Sequence, residues 1–141
     1  MDINKFTEKA QAASYEAQNI VEEYANNNID NEHLLLALIE QDQGVVPEIL
    51  RKLSHNPEDI AQQVRQELDK LPKVSGSVNR GYISNRLNRV FQRAEQESRQ
   101  MKDEFISVEH LLLAMVDEQD RNGAAYQLLH RNDINRNSIL G

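Results

Sequence analysis

Ala10, Ala13, Ala17, Ile20, Val21 and Tyr24 recur at intervals of three and four residues, the period of one face of an α-helix. Thr7 stands ahead of this stripe as an N-cap, and Glu8 falls in the first turn, where free amides and the helix dipole favour oxygen and negative charge. The triple Asn26, Asn27, Asn28 ends the helix. Asp30 then caps a second one, in which Leu34, Leu35, Leu38 and Ile39 turn inward. A third helix is predicted over 46–53. Asn56, Pro57, Glu58 and Asp59 combine a cap, a proline at the first helical position and acids in the first turn, so a fourth helix starts there and runs to about Leu71. The stretch 71–81 breaks the period with Pro72, Gly76, Gly81, Ser75 and Ser77, which reads as a connector.

The pattern is then written a second time. Ile29, Glu32, His33, Leu34, Leu35, Leu36 and Ala37 return as Ile106, Glu109, His110, Leu111, Leu112, Leu113 and Ala114, an offset of 77 residues from Ile29 to Ile106. The same offset carries Thr7 onto Ser84, Ala10 onto Leu87, Ala13 onto Val90 and Ala17 onto Ala94. Ser84 therefore caps a helix with an inner stripe of Leu87, Val90, Phe91, Ala94 and Met101, and Ser107 caps the next. After Asp117 the register slips, since Gly123 to Leu129 match Gly44 to Leu50 at an offset of 79; a two-residue insertion in the preceding loop accounts for it. An eighth helix begins near Asn135 and is cut short at Gly141.

Self-similarity at a fixed offset is one supersecondary unit built twice. The expected fold is all-α, a tandem repeat of two four-helix units with pseudo-twofold symmetry. It forms one domain over 1–141: repeat one 1–71, connector 72–82 and repeat two 83–141.

Composition fits that picture. The chain has 141 residues, 39% of them hydrophobic but only 5% aromatic, so one aliphatic core is available. The unbroken apolar run 34–39, which no other exceeds, is far short of the roughly 18 to 20 residues a membrane span needs. The start lacks the basic-then-apolar order of a signal peptide. Cysteine is absent, which removes disulfides and thiolate metal sites and fits a cytoplasmic setting. A net charge of −7 disfavours a nucleic acid as partner, because that affinity rests on Lys and Arg. The Arg86, Arg89, Arg93 stripe brings no aromatic platform and reads as a solvated face.

Halves packed about a twofold leave a groove where their first helices meet. Ala10, Ala13 and Ala17 would give it a shallow apolar floor, suited to hydrophobic segments of many sequences, with rim acids attracting flanking Lys or Arg in a salt-sensitive way. Enzymatic chemistry finds no support: the chain has no nucleophile with a neighbouring base, no metal-ligand spacing and no phosphate loop. Glu32 and Glu109 occupy first helical turns, where a carboxylate is favoured whatever the function. His33 and His110 follow them directly, but adjacent helical residues diverge by about 100 degrees, so Glu-His here is no chelating pair. Buried, hydrogen-bonded histidines are expected instead.

The paired Glu32-His33-Leu34 and Glu109-His110-Leu111 phrases, with the capping Thr7 and Ser84, make the chain resemble the Clp N-terminal repeat family over essentially its whole length. Leu71-Pro72-Lys73-Val74-Ser75-Gly76 and Met101 to Ile106 are similar to the corresponding stretches of the ClpB, or disaggregase, branch. Ser54-His55 and Asn132-Asp133 depart from it where the family often turns through a glycine, so the third helix of each copy is expected to end differently. The resemblance implies a substrate-recognition domain on a hexameric ATP-driven chaperone of the stress response, engaging misfolded or aggregated polypeptides, with a cochaperone as a further partner. ATP and magnesium would bind beyond residue 141. It carries functional weight to Thr7, Asp103 and Glu109, although Thr7 also reads as a cap and Asp103 as a solvated loop acid. The alternative is a ClpC-type reader of adaptors or phosphoarginine, in which Glu32 and Glu109 would hold a guanidinium.

Overall fold

The computed structural model describes residues 2–74, 82–117 and 121–141. A short 3-10 turn, Ile3–Lys5, precedes α1 (Glu8–Glu23), α2 (Asn31–Ile39), α3 (Val45–Lys52), α4 (Pro57–Asp69), α5 (Asn85–Gln100), α6 (Val108–Val116), α7 (Ala124–Arg131) and α8 (Arg136–Leu140). The fold is all-α, with no strand among the described residues beyond two isolated bridges.

The caps read from sequence are in place. The Thr7 hydroxyl accepts from the Ala10 amide at 3.2 Å and the Ser84 hydroxyl from Leu87 at 3.0 Å. Helix α4 stops at Asp69 rather than at Leu71, because the amides of Lys70 and Leu71 turn back to Glu67 and Leu68 in a tightened last turn. Pro72 disfavours helical geometry in the residue before it. Most of the expected connector, residues 75–81, lies outside the described residues.

Helices α1, α3, α5 and α7 close in one way. The amides of Asn26, His55, Asp103 and Ile134 reach back to the carbonyls of Val21, Leu50, Ser98 and Leu129 at 2.8 to 3.0 Å, the six-to-one closure that satisfies orphan carbonyls. Each requires a left-handed residue just before, supplied by Ala25 (φ 54°), Ser54 (φ 67°), Lys102 (φ 59°) and Asp133 (φ 59°). The third helices thus end as the first helices do, in a left-handed turn that none of the four closes with a glycine. The backbone adopts the turn without one.

Helices α2 and α6 form the centre. All nine residues of α2 are buried, and only Glu109 of α6 reaches solvent. The sequence led us to expect a one-sided stripe; enclosure on every side replaces it, because α1 and α4 pack on α2 while α5 packs on α6. Across the seam, α3 packs against α6 and α7 against α2. Each half completes the other's core, and one hydrophobic cluster runs through both. Met101, expected on the inner stripe of α5, is 38% exposed at the C-cap. Glu97 is buried on that helix instead, its Oε1 accepting from Arg136 Nη1 at 2.5 Å.

Two parallel bridges fasten the seam and obey the repeat. Phe6 pairs with Ile106 and Ile83 with Ile29, positions exchanged by the 77-residue offset. In the first, Thr7 N donates to Ile106 O at 2.9 Å and Ile106 N to Lys5 O at 2.8 Å; in the second, Ser84 N donates to Ile29 O at 2.9 Å and Ile29 N to Tyr82 O at 2.8 Å.

Candidate functional site

Where α1 and α5 come together, the bridged segments leave a cleft of about 110 Å³. Ile3, Phe6, Tyr15, Ile83, Leu87 and Phe91 supply most of its apolar wall, with Ala17, Ile29 and Leu34 deeper and Ser14 and Gln18 as its polar members. Phe6 and Phe91 meet at a ring-centroid distance of 5.6 Å and 55°, a tilted contact that fixes the floor. Tyr15 and Ile83 are 56% and 47% exposed, and Tyr82 beside them 63%. Such a concentration of accessible apolar surface marks a contact site more often than an isolated exposed leucine does. A cofactor pocket usually needs about 300 Å³ or more; this cleft is the size of individual side chains.

The groove therefore forms where the sequence placed it, but with other walls. Ala10 and Ala13 are fully buried. Their small side chains let α1 approach the central helices α2 and α6 closely, so they serve the core. Only Ala17 of that stripe lines the cleft. None of the lining residues is charged, so the expected acidic rim is not part of the wall. The signal for the true wall was present: Tyr15 is an aromatic on the polar face of α1, and Tyr82 and Ile83 are apolar residues ahead of the Ser84 cap rather than within a helical stripe.

Thr7, Asp103 and Glu109 lie outside the lining. Thr7 caps α1 and donates its backbone amide to the Ile106 bridge. Asp103 holds a histidine. The His110 ring accepts from the Ser107 amide at Nδ1 (2.8 Å) and donates from Nε2 to Asp103 Oδ2 (2.8 Å). His33 does the same one repeat earlier, accepting from Asp30 N at 2.9 Å and meeting Asn26 Oδ1 at 2.9 Å. Accepting at Nδ1 and donating at Nε2 defines the neutral tautomer of both rings. Burial pushes His33 down to about 4, against an opposing pull from Asp30. Glu109 is exposed, whereas Glu32 is 3% exposed, so the two do not present a matched pair of carboxylates to a guanidinium.

Lys5 Nζ, from the first half, reaches Glu95 Oε2 on α5 at 3.0 Å; that hydrogen bond holds the Glu95 carboxyl below the ordinary range. Among the described residues no three His, Cys, Asp or Glu side chains are grouped to hold a metal ion, and no helix is long and apolar enough to cross a membrane.

The profile of the Clp repeat (R) N-terminal domain family matches residues 5–131. Over 121 residues the chain is 44% identical to the chaperone protein ClpB of Nitratidesulfovibrio vulgaris, a match covering 84% of this chain and 14% of that protein. The Hsp104 N-terminal domain from Candida albicans superposes with a TM-score of 0.82 at 20% identity, covering 96% of this chain and 86% of that one. A ClpV N-domain in complex with a VipB peptide superposes at 0.71 with 19% identity, covering 91% and 79%. At those identities the two structures speak to the fold. The chain spans a small fraction of the full length of the chaperone relative it matches.

Proposed function

We propose that this chain, which belongs to the Clp repeat N-terminal domain family, is the client-docking domain of a ClpB-type chaperone. It holds exposed apolar segments of misfolded or aggregated polypeptides in the cleft between α1 and α5 and passes them to an ATPase ring of the parent protein. The accessible apolar wall at the seam, Tyr15 and Ile83 above Phe6 and Phe91, carries this reading. A protein of the same fold bound to a peptide supports it. ATP and magnesium belong to modules outside this chain, and the setting is the cytoplasm.

The physics sets the strength of docking. Burying one large aliphatic or aromatic side chain contributes about 1.5 to 3 kcal/mol, and ordering a loose segment offsets much of that. Docking is consequently weak and tolerant of sequence, as suits a domain that must let its cargo go. The net charge of −7 adds long-range attraction for basic segments that salt reduces. The test is titration of a fluorescently labelled, permanently unfolded protein into this domain. Ile83→Asp and Tyr15→Ala are expected to weaken binding about tenfold, the equivalent of losing one buried contact. No binding at any salt concentration, or binding by both variants as tight as that of the unaltered domain, overturns the proposal.

A further inference from the structure

The two seam bridges are alike in their inner bonds and unlike on their outer edge. Residues of an extended segment point their amide and carbonyl to alternate sides, so Phe6 and Ile83 each turn these groups away from the bridge partner. In the first half both are taken up: Phe6 N donates to Ile3 O at 3.0 Å, and Phe6 O accepts from Gln11 Nε2 at 3.1 Å. In the second half, among the described residues, neither the amide nor the carbonyl of Ile83 meets a partner. The residue equivalent to Gln11 is Asn88, one methylene shorter, and its exposed amide makes no such bond. Among the described residues, a donor and an acceptor without partners therefore stand side by side at the mouth of the apolar cleft, on a residue whose own side chain lines it.

From this geometry we infer that the cleft takes its polypeptide in extended form, as a strand added to the outer edge of Ile83. One peptide N–H donates to the Ile83 carbonyl and one peptide carbonyl accepts from the Ile83 amide, while an apolar side chain beside that contact enters the cleft against Phe91 and Leu87. The match is of main-chain dipoles, which every sequence carries, joined to apolar contact. That is the division of labour in strand addition: backbone bonds give affinity, and pockets for alternate side chains give what selectivity there is. A helical segment fails this match, because its amides and carbonyls are spent internally. The inference rests on the docking role proposed above and adds the conformation of the bound segment. It also assigns Asn88 a role as the position that leaves the edge open.

The probe is a short synthetic peptide of alternating valine and threonine with lysine at each end, titrated alone and as a series with single N-methyl groups along the backbone. Loss of one peptide-to-protein hydrogen bond weakens binding about threefold to tenfold. That loss is expected at the one amide facing Ile83, and methylation of its immediate neighbours, which face away, leaves affinity unchanged. Asn88→Gln, which restores the longer amide that closes the first half, is expected to weaken the parent peptide to a similar degree without affecting stability. If every N-methyl position is neutral and Asn88→Gln is silent while Ile83→Asp still weakens binding, the docking cleft stands and the strand-addition inference falls. A bound peptide that is helical by nuclear magnetic resonance also overturns it, and failure of the parent peptide to bind removes both readings.

Discussion

The two halves of the molecule share a backbone plan and differ in what they seal. In the first, the histidine of the capping box meets Asn26, 2% exposed; in the second, it meets Asp103, whose side chain is 52% exposed. In the first, the bridge residue Phe6 is 3% exposed; its counterpart Ile83 is 47% exposed. Caps, closures and bridges recur at equivalent positions, and the divergence lies at the rim. A duplicated scaffold holds its geometry through the repeated polar contacts, leaving one copy free to open an apolar surface that the other keeps shut.

The largest expected effect distinguishes the two histidines. His33→Ala removes a fully buried ring and leaves the buried Oδ1 of Asn26 without its donor, costing about 3 kcal/mol in urea unfolding, while His110→Ala costs about 1 kcal/mol less, because the freed Asp103 is wetted by solvent. Equal costs would show that exposure of the partner does not matter.

The same contact sets a pH dependence. His33 falls from 6.5 in the unfolded chain to about 4 in the folded one, so below pH 6.5 the unfolded chain takes up a proton that the native chain refuses. Stability from this source is whole above pH 6.5 and declines as the pH drops toward 4, by about 3 kcal/mol in all. His33→Gln should abolish that part of the decline in unfolding curves measured across the range; an unchanged slope would assign the loss to carboxylates.

Smaller effects follow at the helix ends. Ala25→Gly and Ser54→Gly relieve left-handed residues at φ 54° and 67° and should each raise stability by roughly 0.5 to 1 kcal/mol. Asp133→Gly should gain less, since aspartate tolerates that region better. Smallest of all, Asp103→Asn makes the partner of His110 chemically like that of His33 and should change stability by no more than about 0.5 kcal/mol. A larger drop would show that the carboxylate charge at His110 matters to the fold.

Much of the scaffold was legible because its signals are local. Thr7, Asp30, Asn56, Ser84 and Ser107 each cap the helix that follows them, and a cap is a contact over three residues of chain. The repeat made the pseudo-twofold readable, since equivalent sequences fold to equivalent units. Reading failed where the contact partner was distant. Ala10 and Ala13 look like a groove floor until α2 and α6 are laid against them, Met101 looks internal until α5 ends beneath it, and Glu32 looks like the twin of Glu109 until its exposure is measured.

By itself, then, the sequence determined the helices, their caps and the duplication, because hydrogen-bonded turns and apolar periodicity depend on neighbours a few residues apart. Only the tertiary structure decided which apolar residues remain outside. Burial is settled by elements that meet across the seam, as when α3 covers α6, α7 covers α2, and no described element covers Ile83.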